Sequence, residues 1–336
     1  MNKTFIIAEA GANHDKDFNQ ALKLVNVAIS AGASAVKFQT YSSETLYSRF
    51  TPDFAGHQNI PDLIKSIEMP RFWQKDLKSY CDDHGIEFMS TPFDERAVDE
   101  LYQIGVTRFK IAGFEASDPR FVKHVASTKR PLIISAGIGI DIKKVHDILD
   151  WILDANSTPN VTFLHCNNAY PTPFEDINLG QLKLLQKEQF KTSVKFGLSD
   201  HTEGILIPPV AVSLGASTIE KHYTLDRKLK GPDHSFAIEP DELHQMVRNI
   251  RRVETSLGVK EGKYTESEEH HKMARRSVIA KKTIDKGESV SYNNITTKRP
   301  LFADAVPASE FYSIIDRVVK VNIEEDQPIR WSDLAE

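Results

Sequence analysis

The sequence has few of the features that mark secreted, membrane-spanning or nucleic-acid-binding chains. Only two cysteines, Cys81 and Cys166, occur among its 336 residues. That is too few for a disulfide framework or a cysteine zinc cage, and it is typical of a reducing compartment. No apolar run approaches the ~18 residues needed to cross a bilayer, and the short apolar stretch before Glu9 does not have the pattern of a signal peptide. We therefore expect a cytoplasmic protein without a membrane partner.

An excess of charge of one sign is also missing. The chain has 42 Lys and Arg residues against 47 Asp and Glu residues, and its net charge is -5. This balance gives no general attraction to nucleic acid or to an anionic membrane, so neither is an expected partner. Any anionic substrate must be held by positive charge gathered at one place. At 336 residues the chain is long enough for one large domain and a small one.

Short β-rich runs alternate with amphipathic helical patterns through residues 1–258. Helical stretches such as FNQALKLVNVAISAG place apolar residues at i, i+3, i+4 and i+7, and several end at a glycine that can cap the helix: Gly32, Gly85, Gly105 and Gly215. The pattern predicts parallel strands with right-handed crossovers, and hence a (β/α)8 barrel, although a doubly wound open sheet shares this pattern. The predicted strands are Thr4–Ala10, Ala35–Thr40, Glu87–Ser90, Arg108–Ala112, Pro131–Ser135, Val161–His165, Val194–Leu198 and Ser217–His222.

Three segments depart from this alternation. The insert Tyr41–Pro70, with its Pro, Asp and Asn residues, predicts an elaborated loop after the second strand. Residues 259–276 are charged and poor in large apolar residues, which is typical of a linker that could include a helical turn. Residues 277–336 alternate apolar and polar positions around a Lys-Gly turn, and predict a small β-rich domain. A domain of this size is marginally stable alone, so we expect it to dock on another surface.

Polar and ionisable residues stand at the carboxyl ends of all eight predicted strands, the end where barrel enzymes hold their active sites. Lys37 and Lys110 are the most informative, because a buried lysine is costly without an anionic partner. A bound phosphate or carboxylate would be such a partner, with nearby hydroxyl groups as further donors. The rim residues are Glu9, Lys37, Gln39, Ser90, Thr91, Lys110, Glu115, Ser135, Asn168, Tyr170, Ser199, Asp200, His201, Glu220, Lys221 and His222.

His201 and His222 end consecutive strands, so their imidazoles could converge. Two histidines with oxygen ligands suit Mn²⁺, Fe²⁺, Co²⁺ or Zn²⁺, while two histidines satisfied by hydrogen bonds are an equally good interpretation of the spacing.

The run Asn168-Ala169-Tyr170-Pro171-Thr172-Pro173 predicts either a rigid turn or a wall that aims Tyr170 at a substrate.

Together these motifs resemble the N-acetylneuraminate (sialic acid) synthases and their pseudaminic- and legionaminic-acid relatives. The resemblance covers nearly the whole chain, and ARRSVIAKK…KRP near the end is similar to the family's antifreeze-like (SAF) domain. It rests on AEAGANH (8–14), VKFQ (36–39), STPFD (90–94), KIAGFE (110–115), LHCNNAYPTP (164–173), GLSDHT (197–202), IEKHYTLD (219–226) and GPDH (231–234).

The resemblance implies the condensation of phosphoenolpyruvate with an N-acylated amino sugar such as N-acetylmannosamine, with release of phosphate. It implies a divalent metal, typically Mn²⁺ (with Mg²⁺ or Co²⁺ as alternatives), on His201 and His222. It also implies a domain-swapped homodimer, in which Arg299 of one subunit enters the partner's barrel. The implied phosphoenolpyruvate contacts are Lys37, Thr91, Lys110, Ser135, Asn168 and Ser199, and the implied sugar contacts are Gln39, Glu115, Tyr170, Asp233 and Arg299.

Several alternatives remain within and beyond this family. Glu9 is the first candidate for moving a proton or positioning water, with Glu115 as the competitor, while Lys37 and Lys110 hold the reacting anion. Gly113 and Ala237 both stand where the family more often has Ser, so the acceptor could also be a 2,4-diacetamido-2,4,6-trideoxyhexose. The intact GPDH motif favours an N-acetylmannosamine-like or legionaminic-type acceptor over a pseudaminic one. Rival hypotheses are a synthase for a phosphorylated sugar acid, and an ice- or carbohydrate-binding protein built around residues 277–336.

Overall fold

The computed structural model describes residues 3–53, 58–139, 141–259 and 261–335, and within them the chain forms two compact units, Met1–Gly258 and Val259–Glu336. No helix within the described ranges is long and apolar enough to cross a membrane. The strands of the first unit are β1 (Phe5–Gly11), β2 (Ala35–Thr40), β3 (Glu87–Pro92), β4 (Phe109–Ile111), β5 (Leu132–Ala136), β6 (Val161–Cys166), β7 (Val194–Asp200) and β8 (Thr218–His222). Its helices are α1 (Phe18–Ala31), α2 (Ser43–Leu46), α3 (Ile60–Ile67), α4 (Trp73–Asp83), α5 (Glu95–Gln103), α6 (Pro119–Ser127), α7 (Ile142–Ala155), α8 (Gly180–Lys187), α9 (Ile207–Ser213) and α10 (Pro240–Ser256).

The eight strands form one parallel sheet in the order β3-β2-β1-β8-β7-β6-β5-β4. Strand β1 pairs with both β2 and β8, and β3 lies against β4, so the sheet closes on itself. This confirms the predicted (β/α)8 barrel and excludes the open doubly wound sheet. All eight predicted strands lie within two residues of the observed bounds, because each is an apolar run bounded by polar or turn residues.

Side chains inside the barrel follow the two-residue period of a strand. A lower layer of apolar residues fills the lumen, formed by Ile7, Ala35, Met89, Ile133 and Leu164. Two positions further along each strand, the same face of the sheet becomes polar. This second layer carries residues that the sequence placed at the rim, namely Glu9, Lys37, Thr91 and Ser135 and, on the remaining strands, Lys110, Ser199 and Glu220. It also carries Cys166, which the sequence did not place there. The lumen is therefore filled by apolar side chains below and lined by polar side chains above.

The surrounding helices begin and end where the sequence signals predict. At the start of α1, the Asp17 side chain accepts hydrogen bonds from two backbone N–H groups of the first turn. The four predicted capping glycines, Gly32, Gly85, Gly105 and Gly215, all have φ between 72° and 92°, where glycine is unstrained. The apolar faces of these helices pack on the outer face of the sheet and form the main core.

The insert Tyr41–Pro70 is more regular than the elaborated loop expected from its Pro and Asp content. It contains α2 and α3, with Pro61 in the first turn of α3, where proline is tolerated. The side chains of Asp62 and Lys65 are exposed on one face of α3, while the opposite face is apolar. That expectation was wrong because polar residues on the exposed side of a short helix resemble loop composition.

The second unit has little regular secondary structure, although it has its own core. Strands β9 (Ser277–Ala280) and β10 (Ile295–Lys298) pair antiparallel, as a β-rich domain requires. The remainder contains isolated bridges, 3-10 turns and irregular chain, and the segment Glu266–Ala274, within the expected linker, forms a 3-10 helix. Its core consists of Val278, Ala280, Ile284, Val290, Ile295, Val306, Ile314, Val319, Ile323, Ile329 and Leu334.

Candidate active site

A cavity of about 650 Å³ opens at the carboxyl ends of the barrel strands. It is lined by the polar second layer of the lumen, by the loops that follow the strands and by the apolar face of α3. All but one of the residues given a catalytic, substrate-binding or metal-binding role line this cavity: Glu9, Lys37, Gln39, Thr91, Lys110, Glu115, Ser135, Asn168, Tyr170, Ser199, His201, His222 and Asp233. The exception, Arg299, is an exposed residue of the second unit. Three other predicted rim residues, Ser90, Asp200 and Lys221, are not among its lining residues.

Lys37 lies on β2, and its side chain is almost completely buried between three strands. Its Nζ atom is 2.6 Å from Glu9 Oε2 on β1, and it donates a hydrogen bond to Thr91 Oγ1 on β3 at 2.8 Å. Gln39, two residues further along β2, donates to the other oxygen of Glu9 at 3.0 Å. The strand register places Glu9 directly beside Lys37, so the pairing follows from the sheet itself.

Lys110 on β4 is held in a matching arrangement on the other side of the lumen. Its Nζ atom donates to Ser135 Oγ at 2.8 Å and lies 3.3 Å from Glu220 Oε1. The same carboxylate accepts a hydrogen bond from Ser199 Oγ at 2.9 Å, and its second oxygen is 3.7 Å from Lys37 Nζ. Glu220 thus lies between the two lysines and neutralises part of their charge.

The two buried carboxyl groups of this cluster, Glu9 and Glu220, have pKa values shifted in opposite directions. Burial raises the pKa of Glu9 to about 7, despite the opposing effect of Lys37. Burial would also raise the pKa of Glu220, but Lys110 and Lys37 outweigh it and lower that pKa to about 2. Burial would lower the pKa of Lys37, but Glu220 and Glu9 together raise it. Near neutral pH, Glu220 is therefore ionised, while Glu9 can exchange a proton.

His201 and His222 meet at the mouth of the same cavity. Their ring centroids are 5.5 Å apart, and Tyr170 packs on His201 with a centroid distance of 4.2 Å. Burial lowers the pKa of His201 to about 4, and burial also lowers the pKa of His222 well below its usual value. Both imidazoles are therefore neutral, which is the form that binds metals.

The free nitrogen atoms of this pair fit a divalent metal. His201 Nδ1 lies 2.6 Å from the backbone carbonyl oxygen of Asn167 and donates to it, which leaves the Nε2 lone pair unused. His222 Nδ1 is buried without a hydrogen-bond partner among the described residues. Within those residues no group of three or more His, Cys, Asp or Glu side chains is arranged to hold a metal. The pair therefore suits a metal that takes its other ligands from water and substrate.

Two further carboxylates, those of Glu115 and Asp233, line the outer part of the cavity. Glu115 follows β4; burial raises its pKa to about 7, and its Oε2 atom is buried without a partner in the part of the chain that the structure describes. Asp233, in the loop after β8, has its pKa raised by burial, and its Oδ2 atom accepts a hydrogen bond from the backbone N–H of Ala12 at 3.1 Å. Both carboxylates can accept hydrogen bonds from hydroxyl or amide groups of a bound molecule.

The sequence interpretation gave no role to two features of this cavity. Glu220 was named as a rim residue only, although the two-residue period of β8 already put it on the same face as His222. The second feature is the apolar face of α3, formed by Ile60, Leu63, Ile64 and Ile67. The spacing of these residues at i, i+3, i+4 and i+7 is the sequence pattern of an apolar helix face and could have identified it.

Comparison with known protein families assigns both parts of the chain. Residues 24–262 match the model of the NeuB family, and residues 275–335 match the model of the SAF domain. The chain belongs to the NeuB family.

Characterised relatives of this NeuB-family chain are similar over almost their whole length. The N,N'-diacetyllegionaminic acid synthase of Campylobacter jejuni is 36% identical over 339 residues, covering 98% of this chain and 100% of the relative. The human N-acetylneuraminate-9-phosphate synthase is 32% identical over 337 residues, covering 97% and 91%. The crystal structure of an N-acetylneuraminic acid (sialic acid) synthetase from Leptospira borgpetersenii, in complex with citrate, has a TM-score of 0.71 and 34% identity, covering 80% of this chain and 90% of that one.

Proposed function

We propose that the protein is a nonulosonic (sialic) acid synthase, which condenses phosphoenolpyruvate with N-acetylmannosamine or a related N-acyl amino sugar and releases phosphate. The observation that carries the proposal is the convergence of two buried lysines and two neutral histidines on one cavity. The lysines, at 2% and 3% exposure, offer positive charge to an anion. The wider outer part, with Glu115 and Asp233, offers hydrogen-bond acceptors to a polyhydroxylated acceptor.

Lys37 and Lys110 hold the phosphate and carboxylate groups of phosphoenolpyruvate in register, together with Thr91, Ser135, Asn168 and Ser199. Carbon C3 of the enol then forms a bond to the aldehyde carbon of the open-chain sugar, and the aldehyde oxygen takes a proton. Water adds to C2 and gives up a proton. The resulting hemiketal phosphate collapses by cleavage of the C2–O bond to phosphate. Departure of inorganic phosphate makes the condensation effectively irreversible.

Two carboxyl groups are suited to these proton transfers. Glu9 is held between Lys37 and Gln39, and Glu115 faces the cavity with one oxygen unpaired among the described residues. Both have pKa values raised by burial to about 7, so each is partly protonated at neutral pH, where a general acid or base works best. We assign Glu9 to the water and its proton, and keep Glu115 as the alternative.

His201 and His222 would hold the metal, for which Mn²⁺ is the first candidate and Mg²⁺ or Co²⁺ the alternatives. A divalent metal bound there would supply Lewis-acid polarisation of the sugar carbonyl oxygen. The contribution of the chain is to keep both imidazoles neutral and the ring of His201 oriented by the Asn167 carbonyl group.

A 2,4-diacetamido-2,4,6-trideoxyhexose is a second candidate acceptor, and α3 favours it. Ile60, Leu63, Ile64 and Ile67 line the cavity, and none of them belongs to the barrel core clusters as far as the structure describes them. An apolar wall accommodates the methyl groups of a deoxy carbon and of an acetamido group better than hydroxyl groups. Two relatives are also named for N,N'-diacetyllegionaminic acid.

We further propose a homodimer in the cytoplasm, in which Arg299 of one subunit contacts the acceptor bound by the other. The support is the exposure of Arg299 and the SAF-domain match around it. Both cysteines are free, as a reducing compartment favours. Arg299→Ala should raise KM for the sugar and leave KM for phosphoenolpyruvate unchanged. An unaltered sugar KM would remove Arg299 from the site.

The deciding experiment measures phosphate release from phosphoenolpyruvate. It uses Mn²⁺ or EDTA, with N-acetylmannosamine and the two diacetamido-trideoxyhexoses of the legionaminic and pseudaminic pathways as acceptors. Release that requires both the metal and one of these sugars supports the proposal and identifies the acceptor. Folded protein that releases no phosphate with any of them would refute it.

A further inference from the structure

A buried histidine, His234, connects the two loops that meet at Asp233. It follows Asp233 directly and is 1% exposed. Its Nδ1 atom is 2.6 Å from Thr224 Oγ1, and its Nε2 atom is 3.0 Å and 3.2 Å from the two carboxylate oxygens of Asp15. Because a carboxylate can only accept hydrogen bonds, Nε2 is the donor to Asp15. Both ring nitrogens are engaged, so the orientation of the ring is fixed.

Asp15 is itself held firmly in the loop after β1. Gln20, in the first turns of α1, donates from Nε2 to Asp15 Oδ2 at 2.5 Å and to the Asn13 carbonyl oxygen at 2.8 Å. The Asn13 side chain in turn donates to the carbonyl oxygen of Tyr223, just beyond β8, at 2.8 Å. The loop is therefore anchored to α1 on one side and to the end of β8 on the other.

The same loop supplies the hydrogen bond that orients Asp233. The donor is the backbone N–H of Ala12, three residues before Asp15. The fit is close, since a Cβ atom on Gly11 would lie 2.6 Å from Asp233 Oδ2. A small separation of the two loops would therefore break the bond from Ala12 and let the carboxylate turn away from the cavity.

We propose that His234 and Asp15 are a positioning pair that holds the Asp233 carboxylate towards the bound amino sugar. The inference rests on the proposed function, in which Asp233 contacts the acceptor. Neither residue of the pair lines the cavity among the described residues, and the lysines have separate partners. The pair therefore acts on the binding of the acceptor and leaves that of phosphoenolpyruvate unchanged.

The test is steady-state phosphate release by the full-length protein, with saturating metal and either substrate varied. His234→Ala should raise KM for the acceptor about 10- to 100-fold, the loss expected for a hydrogen bond to a charged group, with KM for phosphoenolpyruvate within about twofold. In an Asp233→Ala background, His234→Ala should add less than about twofold, because the group that it positions is gone. If His234 had a purely structural role, His234→Ala would change KM for both substrates. Its effect would also be the same size in the wild-type and Asp233→Ala backgrounds.

Two further variants keep the test valid if His234→Ala folds poorly. Asp15 has φ of 49°, a conformation that glycine and asparagine tolerate. Asp15→Gly should reproduce the acceptor defect, and Asp15→Asn, which retains an acceptor oxygen, should restore most of the lost affinity.

The matched control is His124→Ala, which removes a similar histidine–carboxylate pair (2.9 Å to Asp99) between α5 and α6. This control should leave both KM values unchanged. If the wild type is active but His234→Ala and Asp15→Gly keep a normal KM for the acceptor, the proposed positioning role of His234 and Asp15 is refuted and the proposed function stands. A wild type that turns over no acceptor overturns the proposed function first.

Discussion

Replacing Glu115 by Gln should make the protein more stable at pH 8 and less active. The folded protein holds the pKa of Glu115 at about 7 against an ordinary value of 4.5, because burial opposes its charge. Between these values the folded state binds more protons than the unfolded state, so the stability of the wild type falls as pH rises through this window. Raising this pKa from 4.5 to about 7 corresponds to about 3 kcal/mol at pH 8, and partial exposure of the side chain reduces this to about 2 kcal/mol.

The assay is urea unfolding of the wild type and of Glu115→Gln at several pH values from 4 to 9. The difference in the free energy of unfolding should be close to zero at pH 4, where both states are protonated, and should grow up to about pH 8. Glu175→Gln, at an exposed position, controls for the loss of a carboxylate and should show a much smaller pH dependence. A Glu115→Gln variant that is no more stable at pH 8, or a difference that does not change with pH, would refute the reasoning.

Three further predictions concern the metal, the acceptor and the barrel. His222→Ala should weaken Mn²⁺ binding at least about tenfold, measured from the electron paramagnetic resonance signal of free Mn²⁺; unchanged binding would exclude His222 as a ligand. Ile64→Ser should lower kcat/KM for a diacetamido-trideoxyhexose about tenfold, and less for N-acetylmannosamine; an equal loss for both would mean that α3 only covers the site. Gly197→Ala should lower the free energy of unfolding by about 3 kcal/mol, because its Cβ would lie 2.2 Å from the Thr218 carbonyl oxygen; an unchanged calorimetric Tm would contradict this.

Much of the barrel follows from local signals in the sequence. Strand β2, for example, is an apolar run after a helix-capping glycine, and its alternation puts Lys37 and Gln39 on one face. The order of the strands then brings Glu9 beside Lys37, because consecutive parallel strands are usually neighbours. These rules suffice to predict that most of the rim residues share one cavity.

What the sequence did not predict depends on contacts between distant residues. The position of Glu220 between two lysines requires the closure of β8 on β1. The choice between Glu9 and Glu115 depends on the surroundings of each carboxyl group in the folded protein. The link between His234 and Asp15 joins two loops at opposite ends of the barrel sequence. Although His234 belongs to the GPDH motif, nothing in the sequence pairs it with Asp15. Helix α3 was missed for a different reason, since its signal is local but short.

The closure of β8 on β1 also determines when catalytic competence arises during folding. Asn13 and Tyr223, which join these strand ends, are 210 residues apart in the chain. Until they meet, Glu9 and Lys37 have neither Glu220 nor His222 beside them, so a growing chain on the ribosome has no working centre. Contacts of such long sequence separation form late and slowly. Recovery of catalysis after dilution from denaturant should therefore report the closing of the ring, and should lag behind the return of helical circular dichroism.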